Sequence, residues 1–249
     1  MRKGRLGAYI TERDKALFDY LFLHKIATAE QIDRDVLHIA HPHHVHRRLK
    51  TLVTNRYLRV TTTLWNGKPR FAYYLSDAAF RRFISNRIQR QWAQLKSDAP
   101  DHDVVLVDLR KRFLNIKNVH HFITENAIEA ELDCPDGFPV QPFLEMHCDG
   151  AIVYKSKGET FYFAVEYEAT QKSKPRYEEH LTSYYIRNEI DGVVYIVTDP
   201  HIRTVLTKID RSLSQDGKSK VFVGDIKHVL SSRKNLCFEN CNKEVLHLE

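Results

Sequence analysis

Apolar residues in the first part of the chain recur at helical spacing and then switch to strand-like alternation. In "TERDKALFDYLFLHKI" (11–26), Leu17, Phe18, Leu21 and Phe22 share one face behind Thr11, which reads as an N-cap. "TAEQIDRDVL" opens with Thr28 and Gln31, the Thr-x-x-Gln form of a capping box. The spacing predicts a third helix from about His43 to Thr54, after Pro42, with Val45, Leu49, Leu52 and Val53 inward. His43, Arg47, Lys50, Thr51 and Thr54 then point away from the apolar stripe. "YLRVTTTLWNGKPRFAYYLS" predicts two strands around Asn66-Gly67, a strong hairpin turn. Residues 76–96 read as one more helix, and "SDAPDHD" as a domain boundary.

The order helix, helix, basic helix, hairpin is that of a winged helix-turn-helix, expected over residues 8–97. Its third helix would enter the DNA major groove, and Lys68 and Arg70 at the wing would meet phosphate. A helical domain with a solvated basic face accounts for the same charges. Beyond the boundary, His102, Val105, Leu106, Leu109 and Phe113 form a helical stripe, and "NVHHFITENAI" reads as a strand. "FLEMHCDGAIVYKS" reads as two short strands around Asp149-Gly150, and "GETFYFAVEYEA" as another strand. "KPRYEEHLTSYYIRNEI" follows as a helix and "GVVYIVT" as a strand buried on both faces. "DPHIRTVLTKIDRSL" is a helix opened by Asp199-Pro200, and "KVFVGD" a last short strand. Residues 98–249 thus predict an α/β domain with a mixed central sheet, making the chain a two-domain α+β protein.

Composition sharpens this picture. With 43% hydrophobic and 28% charged residues, the 249-residue chain is globular. No apolar run approaches the roughly 18 to 20 residues of a membrane span, and "MRKGRLGAYI" lacks the apolar core of a signal peptide. Cys134, Cys148, Cys237 and Cys241 form no CxxC pair, which points to free thiols and a cytoplasmic protein. The net charge of +6 is uneven. Residues 1–100 carry 19 Lys+Arg against 8 Asp+Glu, a net of +11, and the remainder 19 against 24, a net of −5. A basic front and an acidic back suggest a nucleic-acid reader joined to a carboxylate-rich site.

Two clusters carry candidate chemistry. His41, His43, His44 and His46 are closely spaced, but no cysteine or carboxylate accompanies them as a zinc site would want. His44-Val45-His46 also has the His-hydrophobe-His form of tyrosine-dependent nicking enzymes. On a helix, residues two apart diverge by about 200° and cannot share an ion, so DNA contact explains these imidazoles better. The second cluster lies in "FAVEYEATQKSK", where Glu166 and Glu168 share one strand face with Tyr162 and Ala164. Asp149 lies in the preceding strand at hairpin distance. Three carboxylates could hold Mg²⁺ or Mn²⁺, which prefer oxygen ligands and can activate water on a phosphodiester. Glu125 and Glu145 are weaker ligand candidates. Lys174, on a helical stripe with Tyr177, Leu181 and Tyr185, could reach the phosphate. A solvated strand face is the plain alternative for Glu166 and Glu168.

"CDG…VEYEATQKSKPRYEEHL…Y" resembles the PD-(D/E)XK nuclease motif, and more narrowly the replication-relaxation family and MobC-type relaxases of mobilisable plasmids. "HDVVLVDLRKRF" is similar to the first core helix of that group, in which a winged helix precedes a restriction-endonuclease-like domain. The resemblance spans roughly residues 10 to 200. It implies that Asp149 matches the motif aspartate, Glu166 its acidic residue and Glu168 the position usually held by lysine. Cys148 stands where the motif has proline, and His180 where relatives tend to have lysine. The implied function is a metal-dependent relaxase that nicks one strand at a plasmid transfer origin. Asp149, Glu166 and Glu168 would be its catalytic residues, with Lys174 added from its place on the helical stripe. Its partners would be double- and single-stranded plasmid DNA and an accessory mobilisation or coupling protein. Two alternatives stay open: a non-catalytic replication or transcription factor with a degenerate nuclease domain, and an endonuclease that cuts both strands.

Overall fold

The computed structural model describes residues 8–39, 41–88, 94–214, 217–232 and 235–249. The chain divides between Val107 and Asp108 into two compact units. The division falls within a continuous helix, later than the boundary read from "SDAPDHD".

In the first unit, helix α1 (Glu12–His24) starts where the Thr11 hydroxyl accepts from Asp14 N and Asp14 Oδ2 accepts from Thr11 N. This reciprocal cap satisfies two of the donors a helix start leaves open. A two-residue strand β1 (Ala27–Thr28) leads into α2 (Ala29–Ile32), capped by Thr28 and Gln31, and a π turn over Asp33–Leu37. Helix α3 (Pro42–Thr54) begins one residue before the predicted start, with Pro42 at its first position. Strands β2 (Leu58–Trp65) and β3 (Lys68–Leu75) pair antiparallel, and β1 joins β3 to give the order β1-β3-β2. Asn66 and Gly67 have φ of 51° and 70°, the two left-handed positions that a type I′ hairpin turn requires. Helix α4 (Asp77–Phe83) ends well before residue 96, because Ile84 to Arg87 leave the helix. Residues 89–93 of the predicted helix lie outside the described residues. Leu17, Phe18, Leu21, Leu49 and Leu52 are completely buried and form the centre of this unit.

One ion pair ties α3 to α1. Arg48 Nε donates to Asp14 Oδ1 at 2.8 Å, and Arg48 Nη2 donates to Asp14 Oδ2. Burial pushes the Asp14 carboxyl upward, but the Arg48 and Thr11 hydrogen bonds outweigh it and hold the group below its ordinary value. Its stabilising contribution is therefore present above the unfolded-state carboxylate pKa and lost as pH falls through the lowered one. Arg48→Met is expected to strand a buried carboxylate and cost about 3 kcal/mol at pH 7. Urea unfolding of both proteins at pH 7 and near pH 3.5 tests the sign. The gap should narrow at the lower pH; a constant gap would show that the carboxylate is not the cause.

Helix α5 (Pro100–Leu114) spans the division. Its buried residues are Asp103, Val104, Val107, Leu109, Arg112 and Phe113, whereas Val105 and Leu106 of the predicted stripe are half-buried. Val104 packs with Ile26 and Ala72 in the first unit, and Phe113 stacks on Phe238 in the second. The buried face is a composite of two packings, not one stripe.

The second unit continues with β4 (Val119–Thr124), α6 (Glu125–Ala130), α7 (Val140–Met146), β5 (Gly150–Ser156) and β6 (Glu159–Glu168). Then come α8 (Lys174–Tyr185), β7 (Gly192–Val197), α9 (Pro200–Leu213), β8 (Val221–Asp225), α10 (Ile226–Ser231), β9 (Leu236–Glu239) and β10 (Val245–Leu248). The seven strands form one mixed sheet in the order β10-β9-β8-β7-β6-β5-β4. Strands β6, β7 and β8 run parallel; the other pairings are antiparallel. Every residue of β7 is buried, as its unbroken β-branched run predicts. Three expectations are corrected. Residues 125–128 at the end of "NVHHFITENAI", read as strand, open α6; residues 143–146, read as strand, belong to α7; and "KVFVGD" is followed by the β9–β10 hairpin. Among the described residues no helix is long and apolar enough to cross a membrane.

Candidate active site

The antiparallel register of β5 and β6 builds the site. Gly150 pairs with Val165, so the residue before the strand, Asp149, falls opposite Glu166. Close approach by β4 requires glycine at 150: a Cβ there would stand 2.8 Å from Phe122 Cε1 and 2.9 Å from the Ile123 carbonyl. Asp149 is fixed by Tyr167 N, which donates to its Oδ2 at 2.7 Å. Asp149 and Glu166 both line a cleft of about 440 Å³ whose other walls include Lys172, Arg176, Tyr177 and His180.

Glu166 is buried at 4% exposure. Tyr184 OH donates to its Oε1 at 2.7 Å, and His180 Nε2 stands 3.6 Å from the same oxygen. His180 is itself set between the Met146 carbonyl, at 3.2 Å from Nε2, and Tyr195 OH, at 3.2 Å from Nδ1. With Nε2 donating to the carbonyl, Nδ1 accepts from tyrosine. This neutral form agrees with the burial that lowers the imidazole below its ordinary value. Burial, and then the charge of Asp149, push the Glu166 carboxyl well above the usual carboxylate range.

Glu168 turns elsewhere. Its Oε1 accepts from Lys172 Nζ at 2.5 Å. Burial lowers the Lys172 ammonium, but its bond to Glu168 and the charges of Glu168, Glu166 and Asp149 outweigh this and raise it. Lys172 is thus a held cation at the edge of the carboxylate pair. Lys174 is placed differently from the expectation. It is the first residue of α8, is 69% exposed and pairs with Glu178 at 2.9 Å. Glu145 sits at the cleft rim, bonded to Arg187 and Gln141, and Glu125 heads α6. The sequence reading named Lys174 for the phosphate and did not single out Tyr184 or Lys172.

Among the described residues, no group of three His, Cys, Asp or Glu side chains is arranged to hold a metal ion. Of the expected set, Asp149 and Glu166 form a facing pair, while Glu168 is bonded to Lys172. The pair still suits one hard cation. Mg²⁺ is commonly held by one or two carboxylates with water and phosphate completing its shell, and a cation there would offset the burial and the Asp149 charge that disfavour ionised Glu166.

In the first unit, His43, Arg47, Lys50 and Thr54 are exposed on α3, and Thr51 is half-buried. His41 caps the helix through Nδ1, which accepts from His43 N. Lys68 is exposed at the hairpin, and Arg70 lies 3.4 Å from Glu30. All four cysteines are free.

No family model matches the chain. No curated protein matches it either. Among solved structures, that of the restriction endonuclease FokI is similar at a TM-score of 0.30 and 10% identity, covering 88% of this chain. The chain spans 42% of the FokI chain. At that score the likeness decides nothing, so the functional reading rests on the chain's own geometry.

Proposed function

We propose that this chain is a metal-dependent DNA endonuclease that nicks one strand, with the first unit as a winged-helix DNA reader and the second as the cutting unit. The observation that carries it is the pairing of Asp149 and Glu166 across β5 and β6 on the wall of a cleft that also holds Lys172. The confinement to one strand and to a plasmid transfer origin follows the resemblance of the motif around residues 148–185.

Asp149 and Glu166 would hold Mg²⁺ or Mn²⁺, which supplies an activated water and screens charge on the phosphate. The remaining roles belong to the chain. Tyr184 orients Glu166, and Tyr167 N orients Asp149. Glu168 aims the Lys172 ammonium, which meets the phosphate oxygens as their charge grows. Arg176, exposed on the cleft wall, anchors the neighbouring backbone.

A supercoiled plasmid carrying candidate origins, incubated with Mg²⁺ or Mn²⁺, tests the reading. Open circles are expected, and they should be absent with Asp149→Asn. Linear product would instead indicate cutting of both strands. The diversion of Glu168 to Lys172 favours one rival, a degenerate site kept in a DNA-binding factor. No cleavage together with no Mn²⁺-dependent rise in melting temperature would establish that rival.

A further inference from the structure

The exposed stripe of α3 is bordered by a cleft on each side. At 100° per residue, Thr51 stands about 100° to one side of Lys50 and Val53 about 60° to the other. The cleft on the Thr51 side, about 450 Å³, includes Arg13, His44 and Arg47. The cleft on the Val53 side, about 680 Å³, is rimmed by Arg56, Arg59 and Arg81 over a floor that includes Leu58 and Tyr74. None of these arginines except Arg47 belongs to the stripe that the reading helix presents.

Arg56 is the informative residue. It follows the α3 C-cap with φ of 62°, a left-handed position where glycine or asparagine is favoured and a long side chain is uncommon. Its backbone is pinned: Arg56 N donates to the Val53 carbonyl at 2.9 Å, and Ser76 Oγ donates to the Arg56 carbonyl at 2.7 Å. The root of the guanidinium is therefore fixed at the cleft although another residue would sit there with less strain. Among the described residues neither Arg56 nor Arg81 is ion-paired. Arg59 shares Asp77 at 3.5 Å with both side chains at least 60% exposed, a contact of little strength. The lining of this cleft thus holds three arginines and a single carboxylate residue, Asp77.

Resting on the reading of this unit as a DNA binder, we infer that the Arg56–Arg59–Arg81 cleft binds one phosphodiester backbone of a duplex whose major groove receives α3. Arg13 and Arg47 meet the opposite backbone. A helix with its side chains is about 10–12 Å across and the B-form major groove about 12 Å wide, so the two strands run along the helix flanks, where the clefts lie. Guanidinium forks bind phosphate oxygens two at a time, and the contact carries no sequence information. The A-form groove is too narrow to admit the helix, so the partner is duplex DNA and not duplex RNA.

The test uses the full chain and a 20-base-pair duplex of arbitrary sequence, with binding followed by fluorescence anisotropy from about 50 to 200 mM salt. Arg56→Asn and Arg81→Gln should each weaken binding roughly 5- to 10-fold near 0.1 M salt and lower the log–log slope by about 0.9. Lys208→Gln, an equal charge change in the second unit, should leave the slope unaltered. Because asparagine tolerates the left-handed backbone, Arg56→Asn should melt no lower than wild type while binding less, which a merely structural arginine would not do. An unchanged slope in the double variant, with wild type binding normally, overturns this inference alone. Equal affinity for duplex RNA overturns the groove placement. Absence of any salt-dependent binding by wild type would remove the DNA-reading role and this inference with it.

Discussion

Glu166→Gln is expected to lower strand cleavage by about 10³-fold or more while leaving the protein as stable as wild type, or more stable, at neutral pH. The loss of rate follows from removing one of two carboxylates that would hold the cation, whose charge stabilisation amounts to several kcal/mol at about 1.36 kcal/mol per decade. The gain in stability follows from where the carboxyl sits. Glu166 is 4% exposed and faces Asp149, so its folded-state pKa is raised by burial and by that charge. A carboxyl raised in this way favours folding in its protonated form. Its contribution is greatest below the ordinary carboxylate value and shrinks as pH climbs toward the raised one. Glutamine keeps an oxygen to accept from Tyr184 OH and carries no charge at any pH. Thermal melts in chelator from pH 5 to 8 should show wild type losing stability along the series relative to the variant. Parallel curves would mean that Glu166 ionises freely and that the cleft is wetter than its burial implies.

The features legible in the sequence were those set by neighbours along the chain. Thr11 and Thr28 cap helices because the residue three positions on can answer each of them, and Asn66-Gly67 turns the hairpin because both residues tolerate positive φ. The buried β7 was readable from composition alone. What failed depended on tertiary context. The run Phe143–His147 is too short for periodicity to separate helix from strand, and its packing against α6 and α8 made it helical. The β9–β10 hairpin has four-residue strands with mixed burial, too brief a pattern to read. In the site, Asp149 and Glu166 were recoverable because hairpin register follows from strand alternation. The capture of Glu168 by Lys172 was not. Lys172 lies in the irregular segment between β6 and α8, where no period dictates side-chain direction, and the helical stripe drew the assignment to Lys174 instead.

That difference gives the second large effect. Lys172→Met is expected to reduce cleavage by about 10² to 10³-fold, the loss typical of removing one group that stabilises charge on the reacting oxygens. Lys174→Met should stay near wild type, since its ammonium is exposed and pairs with Glu178. The lysine variant also uncouples Glu168. Left buried at 2% exposure without its cation, that carboxylate should make Lys172→Met less stable, and Lys172→Met/Glu168→Leu should recover the stability without the activity. Recovery of both would make the pair a structural tie with no part in the chemistry. The ends of the cut strand complete the argument. Tyr177 is the tyrosine nearest the pair with a place on the cleft wall, but its hydroxyl accepts from Lys172 N at 3.2 Å and burial pushes its pKa upward, away from the nucleophilic phenolate. On the proposed reading water would then be the attacker, and the nick should carry a free 5′-phosphate and 3′-hydroxyl with no protein attached. A reaction stopped in detergent and run on a denaturing gel reads this directly. A protease-sensitive shift of the labelled strand, abolished in Tyr177→Phe and retained in Lys172→Met, would transfer the attack to tyrosine.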